Sequence, residues 1–149
     1  MEHLTESLIG VLNEQISCAE AMLRALGQEN QALRDGDAEL LNAASADKAR
    51  LVAALETLES ERRTLAAAIE THLTQTRAEP AAPDASWRTL LTLVAECKTL
   101  NQRNGALVKA RSEQVRIALQ ALRGPADSGC YDPNGLASSA KSVRRLGSA

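Results

Sequence analysis

Aromatic residues are almost absent from this chain of 149 residues, which has no phenylalanine, one tryptophan and one tyrosine. Strands favour aromatic and β-branched side chains, so this scarcity argues against a β-sheet core. The chain also has no apolar run near the roughly 20 residues of a membrane span, and its N-terminus lacks the pattern of a secretory signal. The sequence therefore predicts a soluble cytoplasmic protein without membrane insertion.

Residues that carry chemistry are equally scarce. The three cysteines, Cys18, Cys97 and Cys130, lack the spacing of metal ligands and are expected to be reduced thiols. His3 and His72 are the only histidines, and no glycine-rich phosphate loop occurs. The formal net charge of −2, with both signs interspersed, gives no field that would attract nucleic acid. We expect no catalytic residues, no metal site, no cofactor and no nucleic-acid partner.

Leucine and alanine recur at helical spacing in three segments, 4–33, 38–74 and 86–122. Two prolines between the second and third segments, Pro80 and Pro83, cannot continue a helix. Three long segments separated by short breaks predict an all-α fold, an elongated antiparallel bundle in up-down-up order. We assign the bundle to residues 1–124.

Gly36 stands between the first two segments and has two interpretations. With Asp37 it offers a glycine stop followed by an acidic N-cap, which predicts a turn. However, Leu26, Leu33 and Leu40 keep a heptad step across it. A single kinked helix over both segments is therefore the alternative.

The third segment contains two heptad series that predict a buried seam. They are Trp87, Val94, Asn101, Val108, Val115 and Leu122, and Leu90, Cys97, Asn104, Arg111 and Ala118. Asn101 and Asn104 are expected to be buried and to fix helix register, or else to form a recognition surface, and Gly105 permits close approach of another backbone. A hairpin closed at Pro80 places Arg62 opposite Cys97–Asn101 as their polar partner, with Lys48 nearer Glu113.

Residues 125–149 differ from the rest, being rich in serine, glycine and alanine. Such a segment buries too little apolar surface to order by itself, so we predict a flexible tail. Leu136, Ala140, Val143 and Leu146 would share one face of a short helix, which gives the tail an amphipathic character suited to a partner.

Several motifs together resemble the FlgN type of flagellar export chaperone across nearly the whole chain. They are Glu29-Asn30-Gln31-Ala32-Leu33 before Gly36-Asp37, the positions Lys48, Leu51, Leu55, Leu58 and Arg62, then Trp87 with Leu90-Leu91, Asn101-Gln102-Arg103-Asn104-Gly105, and Tyr131-Asp132-Pro133-Asn134-Gly135. The most specific part is the block from Trp87 to Gly105.

The resemblance implies a small chaperone of the flagellar type III secretion system. Such a protein binds hook-associated (hook–filament junction) proteins through their terminal helices, prevents their premature polymerisation and delivers them to the export gate and export ATPase complex. The family binds its clients through the C-terminal segment, which here contains Leu136, Val143 and Leu146, and Tyr131 matches a tyrosine associated with the export gate. The alternative from another class is a structural coiled-coil adaptor that forms a permanent homo-oligomer.

Overall fold

The computed structural model describes residues 2–76 and 85–123 of the chain. These residues form three helices, α1 over Glu2–Asp35, α2 over Ala38–Thr76 and α3 over Ala85–Arg123. Within the two described ranges only Gly36 and Asp37 are not helical, and no strand occurs. The prediction of an all-α fold with three long helices is confirmed.

The chain reverses at Gly36, between α1 and α2. Gly36 has a φ of 74°, a left-handed conformation that glycine adopts without a steric penalty. Its amide and that of Asp37 donate to the Ala32 carbonyl oxygen at 2.9 and 3.1 Å and end α1. The Asp37 carboxylate accepts the Leu40 amide at 2.9 Å as the N-cap of α2. The prediction of a turn at Gly36 is therefore correct, and the alternative of a single kinked helix is wrong.

Hydrogen bonds between α1 and α2 show that the two helices are antiparallel. Near the start of α1, Gln15 Nε2 donates to Glu59 Oε2 at 3.3 Å. Near its end, Lys48 Nζ donates to Glu29 Oε1 at 2.8 Å. Rising residue numbers in α1 therefore meet falling numbers in α2, as in a helical hairpin closed by Gly36.

The part of α3 up to residue 112 runs parallel to α1. Cys97 Sγ donates to the Ala19 carbonyl oxygen at 3.5 Å, and Asn104 Nδ2 donates to the Leu26 carbonyl oxygen at 2.9 Å. Both contacts join residues 78 positions apart, so the two helices keep a constant register. Residues 2–76 and 85–112 thus form a three-helix bundle in up-down-up order.

The register predicted between α2 and α3 was wrong. The Arg62 guanidinium lies over the Trp87 ring, 4.7 Å from its centroid, and Lys48 Nζ donates to Asn101 Oδ1 at 3.2 Å. In each contact the midpoint between the two residue numbers lies about six residues before Pro80. The prediction had placed the centre of the hairpin at Pro80. The cause is that α3 also packs on α1. The hydrogen bonds between α1 and α3 fix the position of α3 along the bundle axis, which the length of the linker alone does not predict.

The buried residues are concentrated on α1. On α2 only Ala44 is buried, and on α3 only Leu90 and Asn104, whereas α1 buries Leu12, Gln15, Ala19, Met22, Ala25, Leu26, Glu29, Ala32 and Leu33. The α1 set recurs with helical spacing and covers a wide stripe. Because α1 supplies most of the buried residues, it is the helix around which the core forms.

Residues 113–149 form a second unit, of which the structure describes 113–123, the last part of α3. In this part Arg116 donates to Glu113 at 2.8 Å, which lowers the pKa of Glu113. Large apolar side chains, Val115, Ile117, Leu119 and Leu122, are exposed there. Over the described residues, none of the helices combines the length and apolar character that crossing a membrane requires.

Candidate partner-binding site

The predicted site residues do not form one group. Tyr131, Leu136, Val143 and Leu146 lie outside the described residues. Arg62 lies beside Trp87, and Asn101, Asn104 and Gly105 lie further along α3. Arg62 is therefore not the neighbour of the asparagines that the sequence predicted.

Asn104 is the buried polar residue of α3, with 2% of its surface exposed. Its Nδ2 donates to the Leu26 carbonyl oxygen at 2.9 Å and to Glu29 Oε2 at 2.8 Å. Its Oδ1 accepts from Asn30 Nδ2 at 2.8 Å. Both N–H donors and the oxygen of the side-chain amide are therefore hydrogen-bonded, which is the condition for burying an amide. Asn101 is exposed, so the expectation that both asparagines are buried was wrong for Asn101.

Lys48 joins all three helices at this level. Its ammonium donates to both carboxylate oxygens of Glu29, at 2.8 and 2.9 Å, and to Asn101 Oδ1 at 3.2 Å. We call Glu29, Asn30, Lys48, Asn101 and Asn104 the polar junction. Its charges are paired and hydrogen-bonded, as partly buried charges must be.

Sequence reasoning missed Glu29 and Asn30 as partners of Asn104. A signal for Glu29 was present, because it falls at the helical spacing of the buried apolar residues Met22, Leu26 and Leu33. A charged residue at such a position requires a polar partner on a facing helix.

A second polar cluster lies toward the other end of the bundle. The Glu59 carboxylate accepts from Arg62 Nε at 2.8 Å, from Arg63 Nε at 2.8 Å and from Gln15 Nε2 at 3.3 Å. The bond from Arg62 is the largest cause that lowers the pKa of Glu59 from 4.5 to about 2, with smaller help from Arg63 and Gln15. The cluster fixes Arg62 against Trp87 and so positions the start of α3.

Arg111 of α3 caps the end of α1. Its Nη2 donates to the Arg34 carbonyl oxygen at 2.6 Å, one of the last carbonyl groups of α1. A cation at a helix C-terminus also interacts favourably with the helix dipole. This contact secures α3 at the α1–α2 turn.

The thiols of Cys18 and Cys97 have structural positions. They donate to the carbonyl oxygens of Leu51 and Ala19 at 3.6 and 3.5 Å. Burial raises the pKa of both thiols, and nearby Glu96 raises that of Cys97 further. The protonated thiol is thereby favoured, and reactivity, which requires the thiolate, is reduced.

One side of α3, beside its contacts with α2 at Trp87 and Asn101, carries large apolar residues that keep about half of their surface exposed. Leu91, Val94 and Val108 are 50%, 49% and 46% exposed, and Asn101 and Gly105 are exposed between them. We call these five residues the α3 outer face. The prediction of a buried seam was wrong for Val94, Asn101 and Val108, which are exposed, whereas Trp87 of the same series packs against the core.

Gly105 gives this face a local depression. A Cβ built there would meet nothing within 4 Å, so no neighbouring group within the bundle requires glycine at this position. Glycine in a helix interior is unfavourable by about 1 kcal/mol relative to alanine. Half-exposed apolar residues beside a position without a side chain suit the close approach of another helix.

In a comparison with known families, the family model described as FlgN protein matches residues 1–139. No curated protein and no solved structure was found to match the chain. The match includes all the described residues from Glu2 to Arg123 and thus both the polar junction and the α3 outer face.

Proposed function

The chain belongs to the FlgN family of flagellar export chaperones, and we propose that it is a cytoplasmic chaperone of hook-associated junction proteins. It binds the terminal helices of these proteins, prevents their premature polymerisation and delivers them to the type III export gate and its ATPase complex. No catalytic step is required, because holding a helix needs only a complementary surface.

The α3 outer face is the observation that carries this proposal. Leu91, Val94 and Val108 each leave about half of their surface exposed, which allows an incoming amphipathic helix to contact them with its apolar side. Covering such residues is favourable by roughly 25 cal/mol per Å² of apolar area. A terminal helix that otherwise drives polymerisation would gain this energy by binding α3.

The tail has a second part in the proposal, which rests on the family resemblance. Leu136, Val143 and Leu146 are proposed contacts with the client, and Tyr131 is the proposed contact with the export gate. Tyr131→Ala should retain client binding and reduce delivery, measured as motility of cells that express the variant. A variant that loses both, or neither, would contradict this separation of roles.

The alternative, a structural adaptor in a permanent homo-oligomer, is also favoured by an exposed apolar face, since that face would be its interface. The two functions differ in the free protein. A chaperone is monodisperse at micromolar concentration, and altering the face weakens its binding to the client. An adaptor is oligomeric, and altering the face disrupts the oligomer. Sedimentation of the full chain and of Val108→Asp distinguishes the two.

The direct test uses calorimetry with a purified hook–filament junction protein and the full chain. Val108→Asp should weaken binding by about tenfold or more, because interface affinity depends on a few apolar anchors. Ile9→Asp is the matched control, as Ile9 is 41% exposed but lies on α1. Unchanged binding by Val108→Asp would reject the α3 face. A full-chain variant with Leu136, Val143 and Leu146 changed to serine tests the tail separately.

A further inference from the structure

Acidic and basic residues are unevenly distributed among the three helices, which the net charge of −2 for the whole chain does not show. Helix α1 has six acidic and two basic residues, and α2 has six acidic and four basic residues. The part of α3 from residue 85 to 112 has one acidic residue, Glu96, and five basic ones. The helix with the apolar outer face is therefore the basic helix of the bundle.

Among the described residues, none of the cations of this part of α3 forms an ion pair with an acidic side chain. The ion pairs among the described residues use Lys48, Arg50, Arg62, Arg63 and Arg116. None of these pairs includes Arg88, Lys98, Arg103 or Lys109, all of which are exposed. Unpaired charges on one helix create a positive potential that an opposite charge would reduce.

Lys98 and Lys109 border the α3 outer face. They are eleven residues apart, which in an α-helix means the same side and a separation of roughly 16 Å. Lys98 follows Val94 by four residues and Lys109 follows Gly105 by four, so each adjoins a residue of the face. The face thus has a basic edge, formed by Lys98 and Lys109, beside its apolar residues.

We propose that the α3 outer face selects an amphipathic helix whose apolar stripe is bordered by glutamate or aspartate. The proposal rests on the function proposed above and adds the chemistry of the partner. Leu91, Val94 and Val108 supply the apolar contacts, while Lys98 and Lys109 pair with carboxylates at the border. Charge at such a rim contributes specificity and association rate more than affinity.

A second copy of this chain fits the face less well. A symmetric dimer through α3 would bring the two basic edges together, which is unfavourable. The acidic surface of α1 and α2 has the required charge, but Ile9 and Val52 are the only large apolar residues exposed on these helices in the described part of the chain. They form no stripe that could cover three apolar residues of α3.

The test uses two designed helical peptides with the same leucine stripe, one bordered by glutamate and the other by lysine. Their binding to the full-length protein is measured by fluorescence anisotropy in low and high salt. We expect the glutamate peptide to bind at least about tenfold more tightly at low salt, and the difference to shrink at high salt because of screening.

Charge reversal then locates the effect. Lys98→Glu/Lys109→Glu should weaken binding of the glutamate peptide about tenfold and remove most of its salt dependence. The control Arg24→Glu/Arg50→Glu makes the same change in net charge on α1 and α2, and it should change binding less than about twofold.

Three results would overturn the proposal: equal binding of the two peptides, no binding of either, or an equal response to both charge reversals. Self-association of the protein that competes with the peptide would assign the face to a second copy. If both peptides bind equally and Val108→Asp weakens both, the charge selection is wrong while the docking face of the proposed function stands.

Discussion

Asn104→Ala is the substitution for which the structure gives the most definite expectation. It removes three hydrogen bonds: one to the Glu29 carboxylate at 2.8 Å, one to the Leu26 carbonyl oxygen at 2.9 Å and one from Asn30 at 2.8 Å. A bond to a charged group contributes about 1.5–3 kcal/mol and a neutral one about 0.5–1.5 kcal/mol.

Two of these losses are partly compensated. The Leu26 carbonyl oxygen keeps its bond within α1, and half-buried Asn30 can donate to water. Glu29 is buried and keeps only the bonds from Lys48. We therefore expect Asn104→Ala to lower the free energy of unfolding by about 2–3 kcal/mol, which corresponds to roughly 10 °C in melting temperature.

Urea unfolding followed by circular dichroism measures this change, with Asn101→Ala as the control. Asn101 is exposed and accepts one long bond from Lys48, so its variant should lose less than about 0.5 kcal/mol. If Asn104→Ala lost no more than Asn101→Ala, the polar junction would not hold the bundle together. A changed slope in urea would mean that the compactness of one state had changed instead.

Three further predictions concern other contacts. Lys48→Met should lower the free energy of unfolding by about 2 kcal/mol, because it leaves the Glu29 carboxylate buried without its cation, and adding Glu29→Gln should restore part of the loss. Gly36→Ala should cost about 1 kcal/mol in the same assay because of its φ of 74°, and Gly36→Asn should cost less. The pKa of Glu59 is lowered from 4.5 to about 2, so its stabilisation is present above pH 4.5 and is lost as the pH falls toward 2. Glu59→Gln should therefore flatten the fall in unfolding free energy over that range, and an unchanged slope would contradict the Glu59–Arg62 contact.

The sequence predicted the helices and the turn because both depend on local chemistry. Helical spacing of leucine and alanine does not require knowledge of neighbours, and Gly36 followed by Asp37 is a local signal for the end of one helix and the start of the next. The resemblance carried by the block from Trp87 to Gly105 predicted the family, which the match to residues 1–139 confirmed.

The register of α3 and the half-exposed side of this helix were not predictable in the same way. A heptad series shows which residues share a side of a helix, but not whether another helix covers that side. Val94 and Leu90 both lie in such series, yet only Leu90 packs in the core. Asn101 lies opposite Lys48 because of the contacts of α3 with α1. A prediction that considers only α2, α3 and their linker leaves these contacts out.

The distances along the chain between contacting residues have a consequence for the order of folding. The α1–α2 contact of Glu29 with Lys48 closes a loop of 19 positions, whereas Asn104 reaches Glu29 across 75. Short loops close at lower entropic cost, so the α1–α2 hairpin can form while α3 is still being synthesised. Until then the side of α1 that contacts α3 is open to any other helix. Arrival of α3 is therefore the step in which the newly made chain closes its own core.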